Sequence, residues 1–244
     1  MKIKNYDGII EHHKSVKSTN LMAIEKIQNN EDFDWLIADC QTDGRGRSSN
    51  VWDSPVGGLY ATRVIKDNNL DYSHISQISI LSSVIIASTI NKFIDVRNIK
   101  LKWPNDILIG GDKLCGILIQ TLNHDNNFYI IIGFGINVKK PSVKTQGKYA
   151  YLSDINKEVI IDKLFDELIR NFNKIINKWD YGNNFEEFRN YWMKLSSDIG
   201  KQVTVVDQKT NKSGIFEYID EYGNLILRIE NDLIKINTGD VFLN

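Results

Sequence analysis

Cysteine is scarce in these 244 residues: the two present, Cys40 and Cys115, are too few for a disulfide framework, and both lie in apolar runs. Buried, reduced thiols in a cytoplasmic protein are the expectation. Neither sign of charge is in excess, since 30 Lys and Arg face 31 Asp and Glu and leave a net charge of −1. Such a chain has no general attraction to nucleic acid or to an anionic membrane, so any anion it recognises must be met locally. Neither a signal-peptide pattern nor a span of roughly twenty apolar residues stands out, and no membrane association is expected. Histidine is rare as well, and the adjacent pair His12 and His13 lacks partners at metal-ligand spacing, so both read as surface residues. The length exceeds one average domain and falls short of two, which predicts one main domain with a small appendage.

What the chain does contain is glycine interleaved with arginine: Gln41-Thr42-Asp43-Gly44-Arg45-Gly46-Arg47, running on to Trp52. The segment follows an apolar run, Trp35 to Cys40, that reads as a strand. Its glycines allow close backbone approach and angles that other residues avoid. Two fixed positive charges on a pliable loop make either an anion-binding element or a solvated turn, and the loop alone does not decide between them. Upstream, Ser18-Thr19-Asn20 precede Leu21, Met22, Ile24 and Ile27 at helical spacing, with Ser18 or Thr19 as N-cap. Hydroxyls and amides at such a helix start can also hold a polar ligand group.

Further along, residues 57–65 read as a strand behind a glycine turn. A long helix opens at Ser73 or His74 and carries Ile75, Ile78, Leu81, Ile85, Ile86, Ile90 and Phe93. Ile99 to Lys102 form a short strand that Pro104 must end, which presents Asn105 and Asp106 at its end. Gly110-Gly111-Asp112-Lys113 is a hairpin turn between apolar strands, and Phe128 to Ile132 is a further strand ending in Gly133-Phe134-Gly135-Ile136-Asn137. Strands linked by hairpins, without intervening helices, argue against a doubly wound fold. The fold class expected is α+β: a mixed, mainly antiparallel sheet with flanking helices. Residues 139–160 read as a loop, Val159 to Trp179 and Phe185 to Leu195 as helices, and short strands beyond Gly200 as a small all-β module. The division expected is 1–196 and 197–244.

Taken in order, S-T-N, GRGR with a following Trp, KWPND, K-L-x-G-I-L and G-x-G-I-N-V resemble the biotin protein ligases, also called biotin–acetyl-CoA-carboxylase ligases. The resemblance implies a catalytic domain related to class II aminoacyl-tRNA synthetases, with a C-terminal SH3-like barrel. It implies substrates, ATP and biotin, that give biotinyl-5′-AMP, followed by transfer of biotin to a lysine of a biotin carboxyl carrier domain. By the same resemblance Arg45, Arg47 and Lys113 are the catalytic cations, set where two anions must meet. Biotin is expected to contact Ser18, Thr19, Asn20, Gln41, Gly44, Arg45, Gly46, Arg47, Lys113 and Gly116. ATP or the adenylate is expected at Arg45, Arg47, Trp52, Lys102, Asn105, Lys113 and Asn137. Mg2+ would have Asp106 as its carboxylate. Trp52 is balanced between stacking on adenine and packing in the core, while Trp103 reads as packing.

The family commonly continues GRGR with a further Gly-Arg, where this chain has Ser48-Ser49-Asn50-Val51. A weaker grip on the intermediate is the expectation. Some relatives carry an N-terminal winged-helix domain and act as repressors; here Ser18 stands too early to leave room for one, so a ligase without DNA binding is expected. A homodimer is left open. The alternatives weighed are a lipoyl or octanoyl transferase of the same fold and a non-catalytic binder of biotin or nucleotide.

Overall fold

The computed structural model describes residues 7–142, 148–206 and 211–243. In chain order the elements are β1 (Ile10–His13), α1 (Thr19–Gln28), β2 (Trp35–Ala38), β3 (Leu59–Lys66), α2 (Ile75–Ile90), β4 (Ile99–Lys102), β5 (Asp106–Ile109), β6 (Asp112–His124) and β7 (Asn127–Ile136). Then come α3 (Ile161–Trp179), α4 (Phe185–Leu195), β8 (Gln202–Val206), β9 (Asn211–Ile219), β10 (Leu225–Ile229), β11 (Asp232–Ile236) and β12 (Asp240–Leu243). The chain forms two compact units, Met1–Asp71 with Asp112–Glu167, and Tyr72–Gly111 with Leu168–Asn244.

In the first unit five strands lie in the order β1-β2-β3-β7-β6. Only β1 and β2 run parallel, which requires a crossover, and α1 supplies it. The helix sets Ala23 and Ile27 against Leu36, Val64, Tyr129 and Ile131, with Met22, Ile24, Phe33 and Leu122 around them. Each fully buried aliphatic side chain contributes about 1.5–3 kcal/mol. On β7, Ile130, Ile131 and Ile132 are all fully buried, the pattern of a strand covered on both faces. Trp35 stacks on Phe134 and meets Phe165 edge-on at 5.5 Å.

Three expectations are corrected here. The strand expected over Trp35 to Cys40 stops at Ala38, because Gln41 leaves the ladder to bridge to Val16 and Ser54. β7 does not end before Gly133: it runs through both glycines, which pair with Thr62 and Tyr60 of β3 and with Leu118 and Gly116 of β6. β1 was not foreseen at all. Of the expected loop 139–160, residues 143–147 lie outside the described residues.

In the second unit Tyr72–Ile90 is long and apolar enough to pass for a membrane span, contrary to the expectation that no such run exists. It is 67% buried within the protein, as a core helix is. Its polar residues are accommodated by back-bonding: Ser83 donates to the Ser79 carbonyl and Thr89 to that of Ile85. Trp179 Nε1 donates to Gln77 Oε1 at 2.7 Å. β4 and β5 form a hairpin from Ile99↔Ile109 to Lys102↔Asp106. The C-terminal strands make an antiparallel sheet in the order β11-β10-β9-β8-β12 around Val203, Val205, Phe216, Leu225, Leu227 and Val241.

Candidate active site

The start of α1 and the turn after β2 meet in a hydrogen-bonded cluster. Ser18 holds the N-cap position with extended backbone, but among the described residues its hydroxyl makes no capping bond. Thr19 instead meets Gln41 Oε1 twice, its backbone N donating at 2.9 Å and its hydroxyl lying 3.1 Å away. Gln41 Nε2 donates to Ser54 Oγ at 2.8 Å, and Ser54 donates to the Trp52 carbonyl at 3.0 Å. Below them Thr62 Oγ1 lies 2.7 Å from both Thr19 Oγ1 and Asn20 Oδ1, while Asn20 Nδ2 donates to Gln120 Oε1 and the Leu118 carbonyl. A side chain at Gly133 would collide with the Asn20 amide, so the close approach of helix to strand requires glycine there.

The Gly-Arg segment folds back on itself. Arg45 bridges to Val51, Gly46 N donates to the Asn50 carbonyl at 2.7 Å, and Trp52 N donates to that of Gly44 at 2.9 Å. Gly46 sits at φ −108, and the left-handed residue is Ser48 at φ 51, so the unusual angle falls outside the glycines expected to supply it. Gly44 is needed for space: a Cβ there would strike the Trp52 carbonyl and Ser54 Oγ. The Arg45 side chain is half exposed and pairs with Asp43 at 3.2 Å. Arg47 is partly buried.

Lys113 is the second residue of β6, and its ammonium lies 5.2 Å from the centroid of the Trp52 ring. That indole rests on Gly116 and Gly135, which face each other across β6 and β7. A Cβ at Gly116 would come within 3.1 Å of the ring, and one at Gly135 would overlap Nε1. Trp52 is 8% exposed, so packing describes its position here. Its Nε1 is buried with no hydrogen-bond partner among the described residues. Asn137 Nδ2 donates to the Lys113 carbonyl at 3.2 Å, and the Ala150 backbone N donates to the same oxygen at 3.0 Å. Beside Asn137 a narrow cleft is lined by Asp53, Pro55, Tyr60, Lys139, Tyr149 and Tyr151. Burial raises the Tyr149 phenol above its ordinary pKa, helped by the Asp53 carboxylate and Tyr151.

Thus Thr19 and Gln41 are joined directly and Asn20 through Thr62, and Lys113, Gly116, Trp52 and Asn137 form a second group tied to the first through the Trp52–Ser54 link. Lys102, Asn105 and Asp106 belong to the second unit, on the β4–β5 hairpin, where the Lys102 ammonium stands 5.5 Å from the Phe242 ring centroid. Trp103 is 3% exposed, in keeping with packing. Among the described residues no group of three His, Cys, Asp or Glu side chains could hold a metal ion. Sequence reasoning missed Ser54 and Thr62. Both are polar residues at buried positions, but nothing in the local pattern marks them.

The model of the biotin/lipoate A/B protein ligase family matches residues 13–137, and that of the biotin protein ligase C-terminal domain matches residues 198–244. The biotin–[acetyl-CoA-carboxylase] ligase of Paracoccus denitrificans is 26% identical, over 92% of this chain and 96% of its own length. The bifunctional ligase/repressor of Bacillus subtilis is 27% identical, over 95% of this chain and 73% of its own. Among solved structures, the biotin protein ligase of Aquifex aeolicus in complex with biotin and ATP superposes with a TM-score of 0.83 at 22% identity, covering 97% of this chain and 98% of that one.

Proposed function

The chain belongs to the biotin/lipoate A/B protein ligase family, and from that premise we propose that it activates biotin with ATP and transfers it to a lysine of a biotin carboxyl carrier domain. The observation that carries the choice of biotin is the hydrogen-bonding set at the head of α1. The Gln41 amide oxygen is already engaged by Thr19, so Gln41 offers an N–H and Ser18 a hydroxyl that makes no capping bond among the described residues. A cyclic urea supplies the complement, a carbonyl acceptor flanked by N–H donors. A lipoyl ring brings neither donor nor acceptor and would leave these polar groups unpaired, at about 1–3 kcal/mol each. That disfavours the lipoyl or octanoyl alternative.

In the first step the biotin carboxylate attacks the α-phosphorus of ATP and pyrophosphate leaves. The two reactants repel each other, and Arg45, Arg47 and Lys113 are the charges assigned to offset that repulsion. In the second step the carrier lysine attacks the acyl carbon and AMP departs. We assign the domain boundary to 196/197, with chemistry on the N-terminal side. For Mg2+ we name Asp106 as the one carboxylate through which an ion held mainly by phosphates and water would be bound. When bound, Mg2+ would neutralise charge on the departing pyrophosphate.

The test is to incubate the protein with biotin, ATP, Mg2+ and a carrier domain, and to look for a mass gain on one carrier lysine and for biotin-dependent ATP–pyrophosphate exchange. Exchange supported by lipoate or octanoate but not biotin would overturn the proposal. Saturable biotin binding without exchange would mark a binder.

A further inference from the structure

We infer that Ser54 is a positioning residue: it sets which end of the Gln41 amide is presented to the head group, and with it the preference for a cyclic urea over a cyclic guanidine. The inference rests on the reading of biotin as substrate and deepens it.

The argument is one of counting hydrogens. Ser54 is 5% exposed and has one hydroxyl hydrogen, which it gives to the Trp52 carbonyl. Its oxygen can therefore only accept, and it accepts from Gln41 Nε2. At the other end, the Gln41 oxygen receives the backbone N–H of Thr19, a donor that cannot be reversed. A flipped amide would set NH2 against that N–H and the amide oxygen against a Ser54 oxygen with no hydrogen to give. Both ends thus specify one orientation, and the second Nε2 hydrogen, which has no protein partner among the described residues, stays a donor.

The layer beneath agrees. Asn20 Nδ2 is committed as a donor to Leu118 and Gln120, so Asn20 Oδ1 must accept, and Thr62 is the hydroxyl beside it. With the Thr62 hydrogen given to Asn20, the Thr19 hydrogen goes to Thr62 or to Gln41. In either case Thr19 Oγ1 meets a ligand only as an acceptor. The pocket so wired takes a ligand N–H at Thr19 and a ligand carbonyl at Gln41, which is the polarity of biotin. In 2-iminobiotin the carbonyl is replaced by a nitrogen that carries hydrogen, so it meets the Gln41 N–H donor to donor.

The test is equilibrium binding by calorimetry, which needs no turnover, with biotin and 2-iminobiotin as probes. Wild type should prefer biotin by at least about a hundredfold. Ser54→Ala removes one of the two constraints on the amide and should narrow that preference by about tenfold, raising the biotin Kd by a similar factor. Ser54→Thr, which keeps the hydroxyl, should restore both. Should Ser54→Ala fail to fold, Gln41→Glu decides the matter: it replaces the N–H by an acceptor and should turn the preference toward 2-iminobiotin. An unchanged ratio in Ser54→Ala, or in Gln41→Glu where that variant decides, overturns the inference while leaving the ligase reading intact. A wild type that binds no biotin overturns both.

Discussion

The ammonium of Lys113 stands over the indole of Trp52, 5.2 Å from the ring centroid, and the ring in turn lies on the backbone of Gly116 and Gly135. A cation held over an aromatic face gains about 0.5–2 kcal/mol, enough to orient the side chain without committing all its charge. The same lysine is therefore kept beside the closing end of the Gly-Arg segment, where Trp52 N bonds the Gly44 carbonyl.

Lys113→Ala should lower biotin-dependent ATP–pyrophosphate exchange by about 10²–10³-fold, the scale for loss of one preorganised charge. Its thermal midpoint should fall by only a few degrees, since roughly 1 kcal/mol of cation–π energy is lost. A variant that keeps near-wild-type exchange would remove Lys113 from the chemistry.

The two kinds of glycine should separate on substitution. Gly135→Ala puts a methyl into the Trp52 indole and should cost about 1–3 kcal/mol by overpacking. Gly46→Ala meets nothing closer than 3.4 Å at a negative φ and should leave stability within about 0.5 kcal/mol. Urea unfolding midpoints measure both. Equal losses would mean that Trp52 does not need its glycine seat.

Asn50 is exposed and its role in the turn is carried by its backbone, which bonds Gly46 and Arg47. Asn50→Arg should thus preserve the turn while adding a cation to it. Dissociation of biotinyl-AMP is expected to slow by about tenfold, the scale of one charge-assisted hydrogen bond. Identical release from both proteins would show that the missing Gly-Arg carries no such weight.

Tyr60 is 2% exposed and donates to the Pro55 carbonyl at 2.8 Å. Burial, followed by Tyr151, Cys40 and the Asp53 carboxylate, pushes its phenol well above the ordinary value. The unfolded chain then loses this proton first, near pH 10, so stability falls as pH rises beyond that point, by up to about 1.4 kcal/mol per pH unit. Tyr60→Phe should be about 1 kcal/mol less stable at neutral pH yet decline less steeply in alkali. Denaturation midpoints from about pH 8 to pH 11 test this, and parallel curves would refute it.

Much of the fold was legible where local pattern and tertiary environment agree. α4 spans Phe185 to Leu195 as its apolar spacing predicts, and Gly110 and Gly111 take φ 61 and 89 in the turn that their pairing predicts. The end of β7 was misjudged because glycine weakens a strand taken alone, whereas Gly133 and Gly135 are held there by what lies on them, Asn20 and Trp52. β1 was missed because Ile10-Glu11-His12-His13 shows no alternation of apolar and polar residues. The head-group cluster was half legible. Thr19 and Gln41 stand in motifs, but Ser54 and Thr62 act through bonds spanning 13 and 43 positions of chain, which only the folded sheet brings within reach.

Of the five tryptophans, Trp35, Trp103, Trp179 and Trp192 are 0 to 3% exposed, and Trp52 alone sits on a glycine floor with a lysine for its lid. Its emission should lie toward the blue and be dimmed by the neighbouring ammonium. Any occupant that lifts the ring or draws Lys113 away changes its colour and brightness, so the protein carries its own optical gauge of occupancy, readable without a dye.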